Sequence, residues 1–456
     1  MFKRMAYALL GLLGLFVLVM VASRLWPASA LQEQARAALE QPLDWPGDNA
    51  WAALMTLNRP GLDAARQQTL VDAHVAAFSV WAQQTASQRY GEQASSAAVP
   101  EPPAMPGGEP AGFERSPLLC ASNEAAQCLH KVRRAPQAVA EALTQRRWGL
   151  DNVAGLALYG HARNLYQADL QTPYPPVQWL LDPLSAHALA HVQGNSGLAL
   201  AGLCRDMGTG RMLMSHSDSL IVAMAGQRML EANGQLLAEV LAELPSDHPL
   251  PATCTAAVAP LDVPAMSLCT PMRGEYAMSR AVMAESYRHG AGSKPAGSWL
   301  FNVDKTLNRN AASVGQGCLA PVREQLEQDL PITVDQANNS LWKMECPANA
   351  IGCILSAVAG PAYGNYHRRT LDTGASQRLL GALVWLRGQP QQRGIEQYLE
   401  ALPAELVSPQ RPITLSADGR HLQVTRYEVD GDAPLLQLPL PPVWWPQPPA
   451  EGPDLP

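Results

Sequence analysis

Hydrophobic and polar positions recur along this chain on three different periods, and each period predicts a different kind of element. The first stretch has no alternation at all. Met5 to Ala22 is an unbroken run of eighteen apolar or small residues, preceded by Lys3 and Arg4 and followed by Arg24 and Trp26. A helix of that length reaches about 27 Å, close to the roughly 30 Å of a bilayer hydrocarbon core. Residues 1–30 are therefore expected to be a signal-anchor transmembrane segment. The basic pair before it predicts a cytoplasmic amino terminus, with inner membrane contact through residues 5–22 and a periplasmic body. Ala28, Ser29 and Ala30 have the small-x-small form that a signal peptidase accepts, so cleavage at Ala30 is the alternative. The length of the run and its Arg24/Trp26 flank favour retention.

Beyond the anchor the dominant period is helical. Residues 31–86 read as an N-terminal helical segment. Its clearest piece is Asp63 to Gln84, where Leu70, Val71, His74, Phe78, Trp81 and Ala82 recur at three and four, with Asp63 as N-cap. Residues 87–117 turn to Ala, Ser, Gly, Glu and Pro and predict a linker or exposed loop. Residues 118–408 read as a helical body. Its best core helix is Ser219 to Leu244, interrupted at Asn233 and Gly234, and low periodicity is expected from Gly290 to Gly317. Asp182 and Pro183 are read as cap and first residue of another helix. In residues 409–438 the period drops to two, with turns at Asp418–Gly419 and Asp430–Gly431, which predicts a small antiparallel meander. Residues 439–456 form a proline-rich tail containing Trp444 and Trp445. The expected fold class is mainly α: a transmembrane helix, a large helical body and a small C-terminal antiparallel β element.

Composition narrows the function classes. The chain is 47% hydrophobic and 16% charged, with a net charge of −7, so it can bury a large core and presents no basic field for nucleic acid. All eight cysteines follow the anchor, where an oxidising compartment predicts disulfides. Nearness in sequence favours Cys120–Cys128, Cys254–Cys269 and Cys346–Cys353, leaving Cys204 with Cys318. Neither Cys-x-x-Cys nor tight Cys/His clustering occurs, so no cofactor or cysteine-ligated metal is expected.

Several short patterns could carry chemistry. Ser340 and Lys343 form Ser-x-x-Lys, and Tyr363 with Asn365 forms Tyr-x-Asn, as in penicillin-interacting serine enzymes. The Lys-Thr-Gly strand of those enzymes has no counterpart after Tyr363. His187 and His191 lie four apart on a predicted helix and could share a metal, without the Glu of a His-Glu-x-x-His motif. Ser215, His216, Ser217 and Asp218 contain every member of a nucleophile triad, but consecutive side chains diverge, and capping of the next helix by Ser217 or Asp218 is the competing role. The catalytic candidates are thus Ser340, Lys343 and His216, and the metal candidates His187 and His191.

Several segments resemble functionally unassigned, membrane-anchored envelope proteins of Gram-negative bacteria. They are Asp48 to Trp51, Asp218 to Ala225, Thr306 to Asn308, Asn349 to Leu355, and Tyr366 to Arg368, with Cys353 departing from the lysine expected there. The resemblance implies the same topology and a helical periplasmic body, and it transfers no catalytic residue. The expected function is a membrane-tethered periplasmic binding or scaffold protein with envelope protein partners. The alternative is a tethered periplasmic hydrolase whose site is assembled from residues distant in sequence.

Overall fold

In the computed structural model, the described residues are 2–91, 99–108, 116–290, 299–332, 340–359, 362–428 and 434–446. The apolar run forms one helix, Phe2–Leu25, and its segment Lys3–Leu25 is long and apolar enough to cross a membrane. Its base is seated on the body. Met20 and Ser23 are buried, and the Ala348 N–H donates to Ser23 Oγ at 2.9 Å.

Two long helices, Ser196–Ser215 and Leu220–Glu243, make the antiparallel hairpin at the centre of the fold. Gly210 and Gly226 meet at their crossing. A Cβ on Gly210 would lie 2.8 Å from the Gly226 carbonyl oxygen, and one on Gly226 would lie 2.7 Å from that of Gly210. The absence of both side chains lets the backbones touch. Ser219 caps the second helix in place of the expected Ser217 or Asp218, and the helix runs unbroken through Asn233 and Gly234, where the sequence pattern predicts an interruption. Burial overrides propensity here: Asn233 Nδ2 donates to the Met229 carbonyl at 2.8 Å, and Gly234 lies against Leu380.

The helices Pro183–Val192 and Ala362–Arg387 pack on this hairpin to enclose the main core. The period-two segment forms β1 (Thr414–Leu415), β2 (His421–Thr425) and β3 (Leu435–Pro439), antiparallel in that order. Leu422, Val424 and Leu438 face the core while Gln423 and Thr425 face outward. The turn expected at Asp430–Gly431 lies outside the described residues.

A second core gathers around Trp51, Phe78 and Trp179. The helix Ala64–Tyr90 is capped by Asp63 as expected, the Arg66 N–H donating to Asp63 Oδ1 at 2.9 Å. The described part of the proline-rich stretch that follows is a strap laid back on this helix. Trp81 Nε1 donates to the Pro100 carbonyl (3.0 Å), His74 Nε2 lies 2.9 Å from that of Pro103, and Arg59 donates to those of Met105 and Pro106. Prolines leave carbonyls unused, and buried polar side chains took them.

The low-periodicity region contains the helix Val303–Val314, capped by Asn302. Its pattern is hidden because Arg309 and Asn310 are among its buried residues. The start of the predicted tail is also packed, with Trp444 buried against Tyr398 at a ring-centroid distance of 5.6 Å.

All eight cysteines are paired. Cys120–Cys128 and Cys346–Cys353 join neighbours as expected. The other four correct the sequence reading: Cys204 pairs with Cys254, and Cys269 with Cys318. The helix Ala252–Ala257 packs on Ser196–Ser215 and delivers Cys254 to Cys204, a tertiary contact that nearness in sequence cannot rank. These bonds are consistent with an oxidising compartment.

Candidate functional site

The residues singled out in the sequence do not converge. His187 Nε2 is 2.7 Å from the fully buried Asp206, while His191 Nε2 is 2.9 Å from Glu243 and its Nδ1 2.9 Å from Ser196 Oγ. The two imidazoles each have their own carboxylate and share no metal position. Ser340 and Lys343 sit in a turn segment, so the helical spacing needed for a Ser–Lys pair is missing. Ser340 offers its carbonyl to Arg309 at 2.8 Å, and Asn365 bonds Arg368 on its own helix. Ser215 Oγ lies 3.0 Å from His216 Nδ1 but donates to the Arg211 carbonyl at 2.7 Å, and the imidazole edges against Trp45. Asp218 Oδ1 accepts instead from the Asn164 N–H. Among the described residues, Glu345, Cys346 and Cys353 come close enough together to suggest a metal site. The two sulfurs are bonded to one another, and Glu345 is held by Arg309 (2.8 Å) and Gln32.

The structure brings together a different set, along the helix Met272–His289. The turn between the central helices is tied to the segment 161–164: the Ala162 N–H donates to the His216 carbonyl (2.9 Å), and the Asn164 N–H to Asp218 Oδ1 (2.8 Å). Gly274 then presses on this turn. A Cβ there would stand 2.0 Å from the Asp218 carbonyl oxygen, so glycine is what lets the helix begin this close. At the other end Gly290 meets the Tyr90 carbonyl, so two helix ends converge while the surface between them stays open.

Along that surface lies a cleft of three adjoining hollows that share wall residues. The widest, about 610 Å³, lies between Arg89, Asp169, Arg280, Glu285 and Arg288. Asp169 and Ala277 also line a central pocket of about 110 Å³ with Asn164, Tyr166, Tyr174, Asp218 and Glu275. Asp218 and Ala277 lead on to a third hollow, about 260 Å³, bounded by Glu40, Gln41, Arg163, Arg273 and Arg280.

Cations and carboxylates share this cleft, and most of the cations are already engaged. Arg89 donates to Asp169 at 2.7 Å with both side chains nearly buried, Arg288 bonds Glu285, and Arg273 donates to the Gln41 carbonyl at 2.6 Å. Of the three carboxylates of the central pocket, Asp218 and Glu275 differ from Asp169 in having no cation at salt-bridge distance among the described residues. Burial pushes Asp218 up to about 6, against the opposing pull of the Asn164 N–H and Arg163, and burial also raises Glu275. Burial raises the hydroxyls of Tyr166 and Tyr174, with Glu275 adding to the shift at Tyr174. The pocket thus holds two acids biased toward the protonated form and two phenols biased toward the neutral form; the Tyr166 hydroxyl is already bonded to His74 Nδ1 at 2.6 Å, which leaves the acids and Tyr174 to donate and accept hydrogen bonds.

Of these residues only Asp218 stood out in the sequence, and there as the acid of a possible triad or as a helix cap. Glu275 lies on a helix whose half-buried polar face breaks the apolar stripe, and Tyr166 and Tyr174 sit in a loop. A single-sequence signal could have been Gly274 beside Glu275 at a helix start, which carries meaning only once its neighbour is known. No protein-family model, curated protein or solved structure matches the chain.

Proposed function

We propose that this is a membrane-tethered binding protein of the cell envelope that holds an extended, mixed-charge peptide segment in the cleft along Met272–His289. The observation that carries the reading is a row of three adjoining hollows, the outer two lined by both arginines and carboxylates and the central one by carboxylates. Mixed charge of this kind suits a chain that itself alternates in sign, and an open trough suits an extended ligand more than a compact one. The anchor, retained in the inner membrane with Lys3 and Arg4 inside, would keep the body in the periplasm. The helix Ala30–Glu40 leads from the anchor to the rim of the cleft at Glu40 and Gln41, a rise of about 16 Å, so the ligand would be met near the membrane.

The test is site-directed photocrosslinking in living cells of the full-length chain. A photoreactive side chain at Ala277, Ala281 or Ala284 should give the same discrete peptide adduct, and one at the exposed Leu158 should not. Arg280→Glu should weaken the adduct at least fivefold. If the cleft positions give no more adduct than Leu158, the reading fails.

The raised carboxylates support a second reading, a tethered hydrolase in which Asp218 donates a proton to a leaving group while Glu275 or a tyrosine orients the substrate. Esterase, amidase and glycosidase screens on the full chain decide it. Activity that survives Asp218→Asn at the wild-type level, or no activity at all, removes this reading and leaves the first untouched.

A further inference from the structure

Around the base of the anchor the body carries a second apolar surface, which the amino-terminal helix does not cover. The helix Ala350–Ala359 has no charged residue, and it turns Gly352, Cys353 and Ser356 inward. Ile354, Leu355 and Val358 form one exposed stripe on its other side, Val358 being 78% exposed. In the turn before it, Leu341 and Trp342 are also exposed, Trp342 at 96%. Trp299 and Leu300 add a third exposed pair.

These three pieces are tied to each other and to the anchor. The Cys346–Cys353 disulfide joins the turn to the helix. The fully buried Asn349 accepts from the Asn302 N–H at 2.8 Å and from Thr306 Oγ1 at 3.0 Å, bringing in the strand of chain that carries Trp299. Ala348 holds Ser23 of the anchor at 2.9 Å, and Lys305 Nζ donates to the Trp26 carbonyl. The apolar surface is therefore a fixed collar at the mouth of the transmembrane helix.

Length sets where the collar lies. The run Met5 to Ala22 reaches only about 27 Å, so all of it is needed to cross a hydrocarbon core of roughly 30 Å. Yet Met20 in its last turn, and Ser23 just beyond it, are already buried against the body. Both conditions hold together when the body rests against the bilayer, with the collar in the interfacial layer where tryptophan is favoured. We propose that this collar is a monotopic membrane-contact site: Trp299, Trp342 and the Ile354–Val358 stripe insert among the lipid head groups and upper acyl chains, fixing the tilt of the body on the membrane. The proposal rests on the anchor being retained in the bilayer.

Full-length protein reconstituted in phosphatidylethanolamine/phosphatidylglycerol vesicles, with a trace of lipid bearing a diazirine high on its acyl chain, tests this by peptide mapping after photolysis. Label is expected on peptides covering 299–303, 340–346 and 350–359 at no less than a fifth of the density found on the anchor peptide. The triple variant Trp342→Glu, Ile354→Glu, Val358→Glu should lose at least fivefold of the collar label and keep the anchor label. Its melting temperature in detergent should stay within a few degrees, since the three side chains make few internal contacts. Label confined to the anchor peptide overturns the collar and leaves the anchor standing, whereas label on neither overturns the anchor itself. Crosslinks between copies at 342 or 358 in place of lipid adducts would assign the face to self-association and overturn the proposal.

Discussion

Two buried groups of carboxylates in this molecule have opposite surroundings. One is built around Arg411, fully buried, whose Nε donates to Asp329 Oδ2 (2.9 Å), whose Nη1 donates to Asp372 Oδ1 (2.6 Å), and whose Nη2 reaches the Leu371 carbonyl (2.9 Å). Arg378 and Ser408 add donors to Asp329, and the Tyr427 and Glu428 N–H groups add donors to Asp372. The Tyr427 ring closes over the guanidinium at 4.0 Å. This cluster fastens the β element to the helix Ala362–Arg387. The other group, Asp218 and Glu275, is half-buried beside an open cleft with a single backbone donor on Asp218 and no cation at bonding distance among the described residues. A carboxylate that is surrounded by donors holds structure together, while one that burial has desolvated without a partner is held ready for something else.

The largest expected effect tests the first half of that contrast. Arg411→Met should lower unfolding free energy by about 3–5 kcal/mol, because Asp329 and Asp372 would remain buried with their main cation removed. Chemical denaturation in detergent checks this, and a loss below about 1 kcal/mol would mean that the cluster is not what holds the β element.

Asp218 should behave in the opposite way. Its folded pKa is raised, so its stabilising contribution is present below the unfolded value near 4 and is lost as pH rises through about 6. Asp218→Asn should therefore gain up to about 3 kcal/mol relative to wild type at pH 8, and nothing at pH 3.5. Paired melts across that range would reveal a flat difference if the carboxyl is in fact well solvated. Two other groups shape the wild-type curve. Glu239, raised by burial to about 7, adds a further loss toward neutral pH. His367, buried and lowered to about 4, does the reverse, withdrawing stability as pH falls from about 6.5 through 4.

Gly274→Ala comes next. Its methyl would collide with the Asp218 carbonyl, and overpacking of this kind costs about 1–3 kcal/mol while shifting the helix that forms one wall of the cleft. Crosslinking from Ala277 should fall with it, and an unchanged adduct would separate the cleft from this contact. The smallest effect is expected at Ser340, where Ser340→Ala should change stability by no more than about 0.5 kcal/mol and leave cleft crosslinking intact.

The elements legible in the sequence were those whose burial pattern is simple. Asp63 announced a helix start, the alternation of Leu422 and Val424 with Gln423 announced a strand, and the amino-terminal apolar helix followed from length alone. The helix Val303–Val314 was not legible, because Arg309 on its buried side is neutralised by Glu345, thirty-six residues away. The cleft was less legible still. His187 and His191, spaced for a shared metal, are drawn apart by Asp206 and Glu243. Meanwhile Glu275, with no motif around it, acquires its character from a carbonyl and a loop far off in sequence.

The sequence by itself determined the apolar helix, the mainly helical body, the terminal sheet and the presence of enough cysteine for four bonds. These follow from local periodicity, chain length and composition, which act on residues within a few turns of each other. Tertiary structure alone decided which cysteines pair, which carboxylates meet a cation, and which apolar side chains remain uncovered at the foot of the amino-terminal helix. Each of those depends on desolvation and on partners brought from distant parts of the chain, and neither is specified until the helices pack.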